Sequence, residues 1–256
     1  MRKLLLAAVT AVLLTSGPAL AQVKTSDVTF KSGDEQIKGF LAEPEGKGPF
    51  PAIVVIQEWW GLNDWIKDNA KRLAAQGYVC LAPDLYRGKV TDKPAEAREL
   101  LTGLPNDRAL RDLKGAVDVL AAKDNVQKDK IGSIGWCMGG KLSLQLGLND
   151  PRVKAATICY GAVVTDPAAL KPLNATVLGI FGEDDMGIKA ADVRKFEEAL
   201  KSAGKKVDQV KIYTGAGHGF MRQNNGAAKN PEFREAQTKD AWTLVDKFFA
   251  KELAGK

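Results

Sequence analysis

Ile131-Gly132-Ser133-Ile134-Gly135-Trp136-Cys137-Met138-Gly139-Gly140-Lys141 is the stretch on which the fold turns. Its apolar run, Ile131 to Trp136, ends in Gly-x-Cys-x-Gly, and a helix-like run from Lys141 to Leu148 follows at once. A strand that turns this sharply into a helix strains the turn residue and lifts its side chain above the sheet. Glycines two before and two after it let the two chain segments pass without a Cβ clash. Such a nucleophile elbow presents Cys137 where serine is more usual. It also sets a condition on the rest of the chain: an acid and then a histidine must follow.

Upstream of the elbow, Phe50 to Ile56 is a near-continuous apolar run suited to a buried parallel strand. It ends in Gln57-Glu58-Trp59-Trp60-Gly61. Asn63 or Asp64 then caps a helix with Ile66, Ala70, Leu73 and Ala74 on one face, and Gly77 stops it. Tyr78 to Ala82 reads as the next strand, closed by Pro83-Asp84-Leu85-Tyr86. Nearer the start, segments 27–31 and 36–41 form a hairpin around Ser32-Gly33-Asp34. The pattern weakens from Arg87 to Gly103, where Pro94 starts a short helix running to Leu101 that is placed to line a pocket. Leu110, Leu113, Val117 and Leu120 then recur at helical spacing.

Downstream come strands over 154–160 and 175–181, a helix over 189–203 and a strand over 207–213. An amphipathic helix near 232–253 follows, with Trp242, Val245, Phe248 and Phe249 inward. Strands alternating with helices predict an α/β fold: a mostly parallel central sheet with helices on both faces. At 256 residues and 45% hydrophobic the chain can bury a large core. No internal repeat or linker divides it, so residues 23–256 read as a single domain.

Residues 1–22 read as a secretory signal peptide. Arg2 and Lys3 precede an apolar run from Leu4 to Leu14, and Ala19-Leu20-Ala21 supplies a cleavage motif before Gln22. That run is too short to span a bilayer. The expected protein is therefore secreted or periplasmic and not membrane-bound. The chain holds 37 Lys and Arg against 31 Asp and Glu, and loss of Arg2 and Lys3 narrows the excess by two. The bases are dispersed, which favours anionic small molecules mildly and nucleic acid not at all. Three cysteines, Cys80, Cys137 and Cys159, leave at least one unpaired thiol in an exported chain.

The chain contains one histidine, His218, in Thr214-Gly215-Ala216-Gly217-His218-Gly219-Phe220. It follows a strand and comes after the elbow, as the order nucleophile, acid, histidine requires. The acid must lie between them at a strand end. Glu183-Asp184-Asp185 is the acidic cluster so placed, and spacing does not choose among its members. Glu58, beside two tryptophans at the end of an apolar strand, calls for a partner. It is either a carboxylate near Cys137 or a cap for the following helix. A carboxylate there raises a thiol's pKa, whereas an imidazolium lowers it. With one histidine and no Cys pair, no zinc site and no cofactor is expected. Gly135-x4-Gly140-Lys141 imitates a phosphate-binding loop, but Leu142 stands where magnesium needs Ser or Thr.

Taken together, Gln57-Glu58-Trp59-Trp60-Gly61, Gly77-Tyr78, Pro83-Asp84-Leu85-Tyr86, Gly135-x-Cys137-x-Gly139-Gly140, Phe181-Gly182-x-Asp184 and Ala216-Gly217-His218-x-Phe220 resemble the dienelactone hydrolase family, in family order across 30–250. The resemblance implies an α/β-hydrolase core and a triad of Cys137, Asp184 and His218. It makes Glu58 the resting partner of the thiol. It implies Arg222 and, by a looser match, Arg98 as ligands for a substrate carboxylate. The elbow geometry suggests an oxyanion hole from the backbone N–H groups of Met138 and Trp59. In the family's strand order, two strands separate Cys80 from Cys159. Three spacings of about 4.8 Å exceed the reach of a disulfide, so three free thiols are expected.

The function these readings support is hydrolysis of a lactone or activated ester, including anionic ones, through a thioester by a monomeric enzyme without cofactor. A small-molecule binder using the same pocket without turnover is the alternative. A redox role for Cys137 lacks the Cys-x-x-Cys it would need.

Overall fold

The computed structural model describes residues 22–225 and 228–255; the leader-like segment lies outside them. The elements run β1 (Val23–Ser32), β2 (Glu35–Pro44), β3 (Phe50–Ile56), α1 (Asp64–Ala74), β4 (Val79–Pro83), α2 (Pro94–Thr102) and α3 (Asn106–Ala122). They continue as β5 (Val126–Trp136), α4 (Met138–Asn149), β6 (Val153–Cys159), α5 (Pro167–Leu170), β7 (Thr176–Gly182), α6 (Ala190–Ser202) and β8 (Val207–Tyr213). A two-residue ladder, β9 (Asn224–Asn225) with β10 (Ala228–Lys229), precedes α7 (Glu235–Glu252).

Eight strands form one sheet in the order β1-β2-β4-β3-β5-β6-β7-β8. β1 pairs antiparallel with β2, and β2 antiparallel with β4, while every pairing from β4 through β3 to β8 is parallel. Alternation along β3 shows why both faces need cover. Ala52, Val54 and Ile56 enter one apolar cluster, Ile53 and Val55 the other. α1 and α7 cover the second face through Ile66, Leu73, Val245, Phe248 and Phe249. α3, α4 and α6 cover the first through Leu113, Val117, Leu142, Leu146, Phe196 and Leu200. Each fully buried Leu, Val or Phe contributes roughly 1.5–3 kcal/mol, so the layers hold each other.

Local sequence sets the boundaries. Asn63 caps α1, its side-chain oxygen accepting the Ile66 N–H at 3.2 Å. Pro94 occupies the first turn of α2, where its missing N–H costs nothing. β5 is longer than its apolar run because it also takes in Gln127-Lys128-Asp129-Lys130. α5 and the β9–β10 ladder are too short for periodicity to reveal.

The parallel strands all point the same way, and β3 and β5 lie side by side where the strand order reverses. In open α/β sheets the crevice beyond the strand ends at such a switch point is where ligands bind. β3 delivers Glu58 there and β5 delivers Cys137.

The elbow's glycines are required sterically. Cys137 adopts φ 55°, and a Cβ on Gly135 would lie 2.0 Å from the Gly139 carbonyl oxygen. One on Gly139 would lie 2.4 Å from the Ile56 oxygen and 2.6 Å from that of Gln57. All of these are backbone atoms that cannot swing away. Gly139→Ala is expected to cost about 3 kcal/mol, which lowers the melting temperature by on the order of 10 °C in a chain of this size. A melt within about 2 °C of the parent would refute the tight crossing.

Candidate active site

A cavity of about 780 Å³ opens above the strand ends, and Cys137, His218, Glu58, Arg222 and Tyr160 border it. Cys137 is half-buried at the N-cap of α4, while Cys80 and Cys159 are fully buried. All three are free thiols. Burial pushes Cys80 and Cys159 well above the usual thiol range, Glu58 adding to the rise at Cys159, so both stay protonated and inert. Cys137 is the accessible thiol of the three.

His218 stands in the loop after β8, with Nδ1 2.7 Å from Asp185 Oδ2. An ionised carboxylate only accepts, so Nδ1 carries the proton and the other ring nitrogen faces the thiol. Burial opposes the imidazolium. Hydrogen bonds to Asp185 and Cys137 outweigh it and raise the pKa to about 10. The Tyr160 ring meets the imidazole edge to face at 5.3 Å.

The carboxylate hydrogen-bonded to His218 is that of Asp185, where Asp184 was expected. β7 ends at Gly182, and the chain runs on in an extension held by two hydrogen bonds: the Glu183 N–H donates to the Tyr213 carbonyl and the Asp184 N–H to the Ala216 carbonyl, both at 2.9 Å. That extension leaves the Asp184 side chain in solvent. The chain turns one residue later and buries Asp185. Its Oδ1 accepts the N–H groups of Gly187 at 2.8 Å and Ile188 at 2.9 Å, leaving Oδ2 for His218. Burial alone would raise the Asp185 pKa, but His218 and the two amides bring it below the usual value.

Glu58 is buried, and its partner is Arg222 rather than the thiol: Arg222 Nε lies 3.2 Å from Glu58 Oε2. The N–H is not aimed along that contact, so neither atom has a well-directed hydrogen bond among the described residues. Burial raises the Glu58 pKa against the opposing pull of Arg222, His218 and Tyr160. The Arg222 guanidinium stacks 4.9 Å from the Trp60 ring centre. The buried Tyr160 hydroxyl likewise lacks a well-directed partner among the described residues.

Arg98 does not border the cavity. It is exposed on α2, one turn before Leu101 and Thr102, which do border it, so the helix end reaches the cavity without the guanidinium. Met138 and Trp59 both line the wall beside Cys137. Met138 is the first residue of α4, where an N–H has no carbonyl one turn back to receive it. The Tyr86 hydroxyl, from the loop after β4, touches Met138 Sδ at 3.4 Å.

Three residues of this site were not singled out by sequence. Tyr160 follows β6 directly at φ 36°, a sparsely allowed backbone for a bulky residue. Its position just past a parallel strand is the one signal that could have found it. Asn230 is buried and ties the histidine loop together. Its Nδ2 donates to the carbonyls of Gly219 at 2.9 Å and Arg222 at 2.7 Å, and its Oδ1 accepts the Glu232 N–H at 3.2 Å. Lys141, on the exposed side of the elbow helix, lines the cavity as well.

A strained cysteine elbow, a histidine with a buried carboxylate behind it and a parallel sheet ending beneath both define an α/β-hydrolase. The chain belongs to the dienelactone hydrolase family, whose pattern matches residues 37–253, and is an ester or lactone hydrolase. A Methylorubrum extorquens protein named "Putative carboxymethylenebutenolidase" is 34% identical over 87% of this chain and 79% of its own length. A Synechocystis protein of the same name is 33% identical over 90% of this chain and 98% of its own. Among solved structures, one named "Putative Dienelactone Hydrolase" from Klebsiella pneumoniae superposes with a TM-score of 0.80. It is 27% identical and covers 90% of this chain and 99% of its own.

Proposed function

We propose that this hydrolase works through Cys137 as nucleophile, with His218 and Asp185 as its proton-handling pair and a thioester as intermediate. The observation that carries this reading is the line from Asp185 Oδ2 through the His218 ring to the Cys137 thiol. The thiolate adds to the ester or lactone carbonyl, and the developing oxyanion rests on the N–H groups of Met138 and Trp59. The C–O bond breaks as the imidazolium gives its proton to the leaving oxygen, which stays tethered when the substrate is a lactone. Neutral His218 then takes a proton from water, hydroxide adds to the thioester, and the carboxylic acid leaves with return of the thiolate–imidazolium pair.

Arg222, Tyr160 and Glu58 supply a buried polar wall whose hydrogen bonds are incompletely used. A substrate oxygen that completed them would be held firmly, because an unmet buried polar group costs roughly 1–3 kcal/mol. The leader-like residues 1–22 support an exported enzyme, as Ala19-Leu20-Ala21 implies.

Acid-quenched intact mass spectrometry tests the covalent step. During turnover of an aryl ester, a fraction of the protein gains the acyl mass, and peptide mapping places it on Cys137. Turnover by the wild type with no such adduct, together with Cys137→Ala retaining activity within tenfold, would refute it. Binding without turnover of any ester or lactone would favour the non-catalytic alternative.

A further inference from the structure

Five charged side chains border the cavity, and three of them are engaged: Glu58 with Arg222, and His218 with Asp185 behind it. The other two, Lys141 and Glu232, have no oppositely charged partner within 4.0 Å among the described residues. The Glu232 carboxylate lies against Gly217 in the histidine loop. Lys141 is on the other side of the elbow. Its N–H donates to the Cys137 carbonyl at 3.3 Å, so it sits one helical turn above the thiol. Met138, Lys141 and Leu142 together form the face of α4 turned to the cavity.

The Lys141 ammonium donates to a neutral oxygen, Asn106 Oδ1, at 3.1 Å. An ammonium has three donors, so two remain for a ligand. Arg222 is held by a buried carboxylate, and Arg98 stands outside the wall. Lys141 is therefore the wall's uncompensated cation.

We propose that Lys141 is a specificity-determining residue that binds a substrate carboxylate. One helical turn rises about 5.4 Å, which places that carboxylate a few bonds from the carbonyl attacked by Cys137. The preferred substrates are then monoanionic esters or lactones bearing such a group. This assignment rests on the hydrolase reading above.

The test compares para-nitrophenyl hemiglutarate with neutral para-nitrophenyl pentanoate on wild type, Lys141→Gln, Lys141→Arg and Lys141→Glu. The readout is the ratio of kcat/KM for the anionic ester to that for the neutral one. Lys141→Gln lowers this ratio about tenfold, the weight of one charge-assisted hydrogen bond, and does so through KM. Lys141→Arg keeps the ratio within about threefold of wild type, and Lys141→Glu lowers it further than Lys141→Gln. A ratio within about twofold of wild type in Lys141→Gln and Lys141→Glu overturns the assignment. Equal losses on both esters also overturn it, because a purely structural role would act that way. If wild type cleaves neither ester, the hydrolase reading falls and takes this one with it. Cleavage with an unmoved ratio removes Lys141 alone.

Discussion

His218→Ala lowers turnover of any ester substrate by at least ~10³-fold while the protein still folds. The chain has a single histidine, so no second imidazole can take over the proton transfers. In the proposed mechanism, deleting it removes both the base that accepts the thiol's proton and the acid that protonates the leaving oxygen. The side chain is 41% exposed at the cavity, so truncation leaves no sealed void. Steady-state kinetics beside a far-UV spectrum decide the matter. Activity within tenfold of wild type would break the assignment of His218 and of the whole line behind it.

The same variant carries a pH signature. Because the His218 pKa is raised, the stability it lends is full below about 6.5 and is lost as pH climbs toward about 10. Because the Asp185 pKa is lowered, its share is present above about 3.8 and is lost as pH falls through the lowered value. The melting difference between wild type and His218→Ala is therefore widest between those limits and narrows in alkali.

Asp185→Asn and Asp184→Asn, one residue apart, separate sharply. Asp185→Asn lowers kcat by roughly 10³–10⁴-fold, because an amide can stabilise neither the imidazolium nor the required tautomer. Asp184→Asn stays within about threefold of wild type, since that side chain is in solvent and the His218 Nδ1 bond goes to Asp185. The pair of measurements is decisive in either direction. Equal effects would refute Asp185 as the carboxylate that orients the imidazole.

That single step shows where sequence reading stops. The elbow was legible because strand, glycines and helix each point to it, and the structure adds only φ 55° at Cys137. His218 was legible because no other histidine competed. The choice among Glu183, Asp184 and Asp185 was not, because it depends on how far β7 stays bonded to the chain after β8. Two long-range hydrogen bonds, to Tyr213 and Ala216, fix that length. Arg98 was misplaced for a similar reason: a short helix can be recognised by Pro94, yet the turn that reaches the cavity is set by packing. Lys141 stood out in the sequence only as the end of a phosphate-loop imitation, and its place on the cavity wall becomes visible only where α4 opens onto it. The Glu58–Arg222 contact joins residues 164 positions apart, and neither stretch carries any local sign of the other.

The solitary histidine has one more consequence, for observation rather than chemistry. In most enzymes an imidazole signal must be sorted from its neighbours before it reports on the reacting group. Here every histidine resonance in a spectrum of this chain originates from the ring held by Asp185. The protein thus carries a self-assigned, label-free probe at the point where thiol, imidazole and carboxylate meet.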